Sequence, residues 1–269
     1  MKKILSILLL VLFTASSALA YEVETSVTLN GDYIMGDAHH LLIGDRVFIV
    51  ARTLCESLNL TISWQAESRQ VQIQGQDSLI LLTIDDPQVT YNDQVFTYDV
   101  APFIKNDRTY IPIRLVSELL GCQVTWDSQT LTVHVTKEDL IINPSYVYQR
   151  PYTDDDLYWL AKIVQVESDY DSVPMKIGIA NVVLNRVKDP RFPSSVYDVI
   201  FDDQYAVQFP PAHKASFTDV KADSLSLMAS KRALEGYNNV GGSLYFNHRP
   251  FQSRADDLYT IIDGEYFYE

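Results

Sequence analysis

The sequence predicts an α+β protein of two domains. A duplicated β-hairpin/helix/strand module comes first, and a mainly α domain with a small β element follows. Three observations carry this reading. The first half repeats itself at a constant spacing, since Arg46, Trp64 and Val71 recur as Arg108, Trp126 and Val133. Its segments alternate with period two around short helical stretches. The second half instead shows apolar stripes of helical period, separated from the first half by a Pro-, Asn- and Tyr-rich stretch.

The chain opens with Met1-Lys2-Lys3, an apolar run from Ile4 to Phe13, and the small-x-small triplet Ala18-Leu19-Ala20. This order predicts a secretory signal peptide over residues 1–20, cleaved after Ala20 to leave Tyr21 first. The run is too short to span a bilayer comfortably. The expected protein is therefore exported, without stable membrane insertion after cleavage. Its formal charge of −14 becomes more negative once Lys2 and Lys3 are removed. With no basic stripe to neutralise phosphates, nucleic acid is excluded as a partner. A polymer ligand would have to be gripped by aromatic faces and hydrogen bonds.

The repeat occupies residues 21–136. Asp45-Arg46-Val47-Phe48-Ile49-Val50-Ala51-Arg52 lies over Asp107-Arg108-Thr109-Tyr110-Ile111-Pro112-Ile113-Arg114 without a gap. Glu56, Leu58 and Trp64 then match Glu118, Leu120 and Trp126. Each unit reads as a hairpin, a short helix near Val50 to Leu58 or Pro112 to Leu120, a strand carrying the Trp, a turn, and a second strand. Pro112 suits a first helical turn. Asn59 and Gly121 suit the left-handed residue after a helix. Trp64 and Trp126 are expected in the core, as large aromatics on strands usually are. Arg52 with Glu56, and Arg114 with Glu118, are expected to pair within each unit. His39 and His40 fall on opposite faces of a strand and are expected at the surface, so no metal site is assigned there. Cys55 and Cys122 are not repeat mates. Export permits a disulfide between them, but two buried free thiols fit equally well.

Residues 137–152 read as an exposed connector, with a Tyr146-Val147-Tyr148 patch able to dock on either side. The second domain spans 153–269. Thr153 caps a helix with Asp154, Asp155 and Asp156 in its first turn. Leu157, Leu160, Ala161, Val164 and Glu167 form one stripe of that helix, placing a carboxylate on the face that packs inward. Partial burial disfavours its ionised form and should raise its pKa toward the range of a general acid. A second helix starts at Pro174, capped by Asp171 or Ser172, and is apolar on nearly all faces from Met175 to Val187, hence buried. Asn181 and Asn185 share one face and must find partners. A third helical pattern runs from Lys221 to Glu235, and Ser243 to Asn247 and Glu265 to Tyr268 read as aromatic strands. His213 and His248 lack partners at zinc-ligand spacing, and no cofactor is implied.

Two family resemblances sharpen this. The motif from Tyr110-Ile111-Pro112-Ile113-Arg114 through Gly121 to Trp126-Asp127 resembles the copper amine oxidase N-terminal-like domain of exported bacterial proteins. It implies an accessory module, and the name implies no copper here. In the second half, Leu160-Ala161-x-x-Val164-x-x-Glu167, Val183-Leu184-Asn185-Arg186-Val187, Phe192-Pro193, Gln208-Phe209 and Tyr245-Phe246-Asn247 resemble, in order, the SleB/CwlJ-type cell wall hydrolases of the spore cortex-lytic family. That resemblance implies a lysozyme-like fold and cleavage of peptidoglycan glycan strands between N-acetylmuramic acid and N-acetylglucosamine. It implies a lytic transglycosylase with Glu167 as its lone acid/base, in the wall or spore cortex, with a muramidase as the alternative and a non-catalytic peptidoglycan-binding or scaffold protein as the competing function. Asp171, Gln208, Phe209, Tyr245 and Asn247 are the expected substrate-binding residues. Asn185 and Arg186 are expected to support the Glu167 helix. The sequence departs from the family after Glu167, at Pro210, and at Tyr266, where a histidine is usual.

Overall fold

A computed structural model of the chain describes residues 22–168, 172–204 and 207–269. The predicted leader and Asp171 lie outside the described residues. The first half consists of β1 (Val23–Leu29), β2 (Asp32–Tyr33), β3 (His40–Ile43), β4 (Arg46–Val50), α1 (Ala51–Ser57), β5 (Thr61–Gln65), β6 (Gln70–Gln74), β7 (Leu79–Thr83), β8 (Gln88–Tyr91), β9 (Gln94–Thr97), β10 (Phe103–Lys105), β11 (Arg108–Pro112), α2 (Ile113–Leu119), β12 (Gln123–Asp127) and β13 (Thr132–Thr136). The elements β4, α1, β5 and β6 recur at the repeat spacing as β11, α2, β12 and β13.

The two units are related by a local two-fold. In the antiparallel β4–β11 ladder Ile49 pairs with its own repeat mate Ile111, flanked by Val50 against Tyr110 and Phe48 against Pro112. The axis therefore passes between these strands. The order β10-β11-β4-β3 obeys it, and the same large sheet continues through β1, β13 and β12. The symmetry ends at the next layer. After β6 the chain turns back as β7, which separates β6 from β8 in a second sheet ordered β5-β6-β7-β8-β9. After β13 the chain leaves the module, so β1 lies directly against β13 in parallel.

Local chemistry explains the matching turns. The β3–β4 hairpin turns at Gly44 and Asp45 (φ 53° and 63°) and the β10–β11 hairpin at Asn106 and Asp107 (φ 49° and 60°). Two successive positive φ values give the hairpin turn whose twist suits the flanking strands, and Gly, Asn and Asp tolerate them best. Asn59 and Gly121 take the expected left-handed conformation (φ 55° and 78°) after the helices. Equivalent side chains fill the core in pairs, such as Leu54 with Val116 and Ile73 with Val135, all at 0% exposure. Pro112 stands one residue earlier than expected, as the cap of α2 rather than in its first turn.

Two expectations fail here. Trp64 and Trp126 are not core residues: they are 46% and 36% exposed. Each sits on a terminal strand of its sheet, β5 or β12, and strand composition alone cannot reveal an edge position. His39 is at the surface, but His40 is buried against the carbonyl of Ile34. His39 precedes β3, which begins at His40, so strand alternation does not separate the two rings. The Tyr146-Val147-Tyr148 patch of the 137–152 segment docks on the first half, one of the two sides open to it. Asn143 N–H donates to Ser57 O at 2.8 Å, Met35 N–H to Tyr146 O at 3.0 Å, and Tyr148 N–H to Tyr33 O at 2.7 Å. Cys55 and Cys122 are both buried free thiols.

The second half contains α3 (Asp154–Glu167), α4 (Val173–Lys188), α5 (Val196–Ile200), α6 (Ser224–Leu234), β14 (Tyr245–Asn247), β15 (Leu258–Ile262) and β16 (Glu265–Tyr268). Helix α6 starts later than its pattern, because Asp223 accepts a hydrogen bond from Ser226 N–H at 2.7 Å and sets the cap there. Strand β15 escaped the sequence reading. It is an edge strand of the β14-β16-β15 sheet with its apolar residues half-exposed, so it lacks a buried face to announce it. No helix among the described residues is long and apolar enough to cross a membrane.

The halves share a core. Val23 and Leu131 of the first pack with Leu157, Ile177 and Leu227 of the second. Glu24 on β1 receives Arg232 of α6, with Nε at 2.9 Å. Arg150 lies over the rings of Tyr33 and Tyr152, 4.6 Å from each centroid, and also bonds Asp154 at 2.6 Å.

Candidate active site

Glu167 reaches its position because α3 is fixed at both ends of its apolar stripe. Thr153 and Asp156 form a reciprocal capping box at the start. Leu157, Leu160, Ala161 and Val164 are 0–1% exposed. Glu167, the last helical residue, is half-buried, and its Oε1 is shielded from solvent. Ser172, not Asp171, caps α4, accepting from Met175 N–H at 3.2 Å.

Glu167 opens onto a groove of about 470 Å³ that Gln208, Tyr245 and Asn247 also line. The structure thus brings four of the six expected site residues together. Asp171 lies outside the described residues. Phe209 does not face the groove. At 1% exposure it is a core residue, with its ring 4.9 Å beneath the Arg186 guanidinium. The aromatic adjacent to Gln208 was needed to support the floor.

Three polar groove residues were missed. Arg186, assigned a supporting role, lines the groove itself. It is 4% exposed, its Nε donates to Leu244 O at 2.8 Å, and Nη1 is buried without a hydrogen-bond partner. Burial pushes its pKa down to about 10, against the opposing fields of Tyr245, Asp202 and Glu167. Glu265 and His248 are the others. Glu265 begins β16, is 9% exposed, and its Oε2 stands 3.3 Å from His248 Nδ1. The pair comes from register, since β14 and β16 pair Asn247 with Tyr266. That antiparallel pairing is the signal the sequence offered: it sets residue 248 beside residue 265. A groove with Glu265 in it is not a one-carboxylate site.

The wall is tied to α4 by amides. Asn185 Nδ2 donates to Gly241 O and Ser243 O, each at 2.9 Å. Asn181 Nδ2 donates to Ile177 O and Tyr237 O, each at 3.0 Å. Gly178 of α4 lets Phe267 pack against the helix, where an added Cβ would lie 2.7 Å from the ring. Phe267 is fully buried in β16, so this contact seats the strand that carries Glu265.

Comparison with known proteins agrees with this division. Residues 28–135 match the family described as Copper amine oxidase N-terminal domain. Residues 171–268 match the family described as Cell Wall Hydrolase, a span that begins after Glu167. Among solved structures, the catalytic domain of the Bacillus cereus SleB protein is 21% identical, with a TM-score of 0.37, covering 45% of this chain and 94% of that one. The catalytic domain of a germination-specific lytic transglycosylase, SleB from Bacillus anthracis, is 22% identical, with a TM-score of 0.39, covering 45% of this chain and all of that one. A curated protease inhibitor from Brevibacillus choshinensis is 24% identical over 117 residues, and the matched stretch spans only 36% of that protein.

Proposed function

We propose that this is an exported enzyme that cuts the glycan strands of peptidoglycan between N-acetylmuramic acid and N-acetylglucosamine, with Glu167 as general acid and then base. The match of residues 171–268 to a cell wall hydrolase family supports a peptidoglycan-degrading activity. The observation that carries the site is Glu167 itself: a carboxyl with one oxygen out of water, beside a groove lined by amides, aromatic rings and a guanidinium. Partial exclusion from water keeps a carboxyl protonated at higher pH and able to donate.

In the transglycosylase form of the reaction, Glu167 gives its proton to the bridging oxygen as the C1–O bond breaks. The muramic C6 hydroxyl attacks C1, and its proton passes to the Glu167 carboxylate. The products are a free 4-hydroxyl and a 1,6-anhydro end, and the acid is restored. Arg186, sunk beside the groove with Nη1 out of reach of solvent, contributes positive charge next to Glu167. Gln208 and Asn247 carry amides that match acetamido groups, and Tyr245 offers a ring face. In this arrangement residues 21–136 serve as an accessory module, joined through 137–152 to a catalytic domain at 153–269.

One observation favours a second route. Glu265, with His248 beside it, is a carboxylate able to activate water, as in two-carboxylate glycosidases. Incubating the purified protein with peptidoglycan and analysing soluble muropeptides by mass spectrometry decides among the readings. Anhydro ends that vanish in Glu167→Gln support the transglycosylase. Reducing ends, lost in both Glu167→Gln and Glu265→Gln, support the muramidase. Binding without release supports a non-catalytic wall protein and overturns the enzyme.

A further inference from the structure

We propose that the N-terminal module carries two equivalent glycan-binding clefts, each built around one of the exposed tryptophans. One cleft holds Trp64 with Arg52, Arg108, Asp37 and Asp107. The other holds Trp126 with Arg114, Arg46, Asp99 and Asp45. These are the same positions of the repeat. Every residue lining the first cleft except Ser63 has its mate lining the second.

Each cleft draws on both units. In one, Trp64 and Arg52 of the first unit face Arg108 of the second, which is held by Asp37 with Nε at 2.9 Å. In the other, Trp126 and Arg114 of the second unit face Arg46 of the first, held by Asp99 with Nε at 2.8 Å. This exchange of roles is what the two-fold through Ile49 and Ile111 produces. The module therefore presents one site twice.

The contents of the clefts select the ligand. Some core pairs differ between the units, such as Leu54 against Val116 and Ile73 against Val135, while the Trp, both Arg and both Asp of each cleft are kept. A large indole left open to water twice, at the same repeat position, is an unspent binding surface rather than scattered surface hydrophobicity. Each cleft balances two guanidinium groups against two carboxylates, in a chain whose net charge is −14. A polyanion would call for an excess of cations. An uncharged ligand with an apolar face and a rim of hydroxyl and amide groups fits instead, and an N-acetylated sugar ring is that ligand. The clefts measure about 740 and 460 Å³, within the range of small-ligand sites. A repeating polysaccharide can engage both, so the pair gains by effective concentration.

The test is pelleting with purified, protein-free peptidoglycan sacculi, using the full protein carrying Glu167→Gln so that the polymer is not consumed. Trp64→Ala and Trp126→Ala should each weaken pelleting roughly tenfold, as loss of an aromatic anchor does. The double variant should weaken it about a hundredfold or more, since avidity goes with the second site. Trp→Tyr at both positions should retain most binding. The N-acetylglucosamine tetramer should perturb indole emission in the parent but not in the double Ala variant. Should the double variant misfold, Arg52→Ala with Arg114→Ala replaces it and should weaken pelleting in the same direction. Undiminished pelleting of the folded double variant overturns the proposal. So does Trp-dependent binding seen only with sacculi that retain wall protein, or a sedimentation mass that falls from dimer to monomer on Trp removal. Pelleting and muropeptide release are separate readouts, so the clefts and the catalytic reading fail independently.

Discussion

The two halves of this molecule treat their polar side chains in opposite ways. In the first, Arg46 and Arg108 reach across a two-fold to Asp99 and Asp37 at the surface, and the arrangement is made twice. In the second, Arg186 and Glu265 are sunk into one asymmetric groove beside Glu167. The difference follows from what each environment can do. An open, hydrated cleft makes weak contacts that accumulate by duplication. Burial of a charged side chain strengthens the fields around it and shifts its proton affinity, and a duplicate of such a site would not add to the reactivity of the first.

The sharpest way to break this contrast is at Glu167. Glu167→Gln should lower muropeptide release by about 10²–10⁴-fold, the usual reach of general acid–base catalysis, while pelleting with sacculi persists. Loss of both together would mean that one surface performs both tasks.

Acid should then destabilise the molecule through groups of the first half that face α6. Burial, reinforced by the charges of Lys231 and His39 and opposed by its bond to Ile34 O, holds the His40 pKa down to about 4, from 6.5 in the open chain. Between these values the unfolded chain binds the proton and the folded one does not. Stability therefore falls as pH drops from about 6.5 toward 4, by roughly 3 kcal/mol in all. Glu24 acts in the same direction, but only as pH falls below about 4.5, where its unfolded form takes up a proton. Burial alone would raise its pKa, but its bond to Arg232 and the nearby charges of His39 and Lys231 more than offset this and lower it. Melting curves at pH 7.5 and 4.5 check the effect, and His40→Gln should flatten the pH dependence.

A smaller change should act on the second half alone. Gly178→Ala drives a methyl into Phe267 and should cost about 1–3 kcal/mol. It should also reduce muropeptide release by unseating β16, with pelleting through the tryptophan clefts unchanged. Smallest of all, Arg46→Ala and Arg108→Ala should each alter stability by less than about 1 kcal/mol, since both pairs are solvated. Near-equal shifts in melting temperature would reflect the two-fold, and a large inequality would break it.

What the sequence revealed follows the same division. The repeat spacing located β4, α1, β5 and β6 and their mates, and residues such as Asn59 and Gly121 report backbone conformation directly. The helical stripe located Glu167, because burial imposes a period on its neighbours. Position within a sheet was not legible. Trp64 and Trp126 have the composition of core strands, and only strand order exposes them. Glu265 and His248 escaped for a related reason: they meet through the pairing of β14 with β16, two strands separated along the chain by β15. Phe209 was misplaced because a ring beneath a guanidinium and a ring lining a groove look identical in one dimension.

The fastening of residues 137–152 has a further consequence. A tether of loose chain would let a cutting domain sweep over any bond within reach, leaving fragments of all sizes. Here Arg150, gripped between Tyr33 and Tyr152, and the backbone bonds at Asn143, Tyr146 and Tyr148 hold that passage down. The molecule is built like a ruler rather than a flail: a strand seated at one tryptophan would meet the blade at an offset fixed by that cleft, and its fragments would cluster in length.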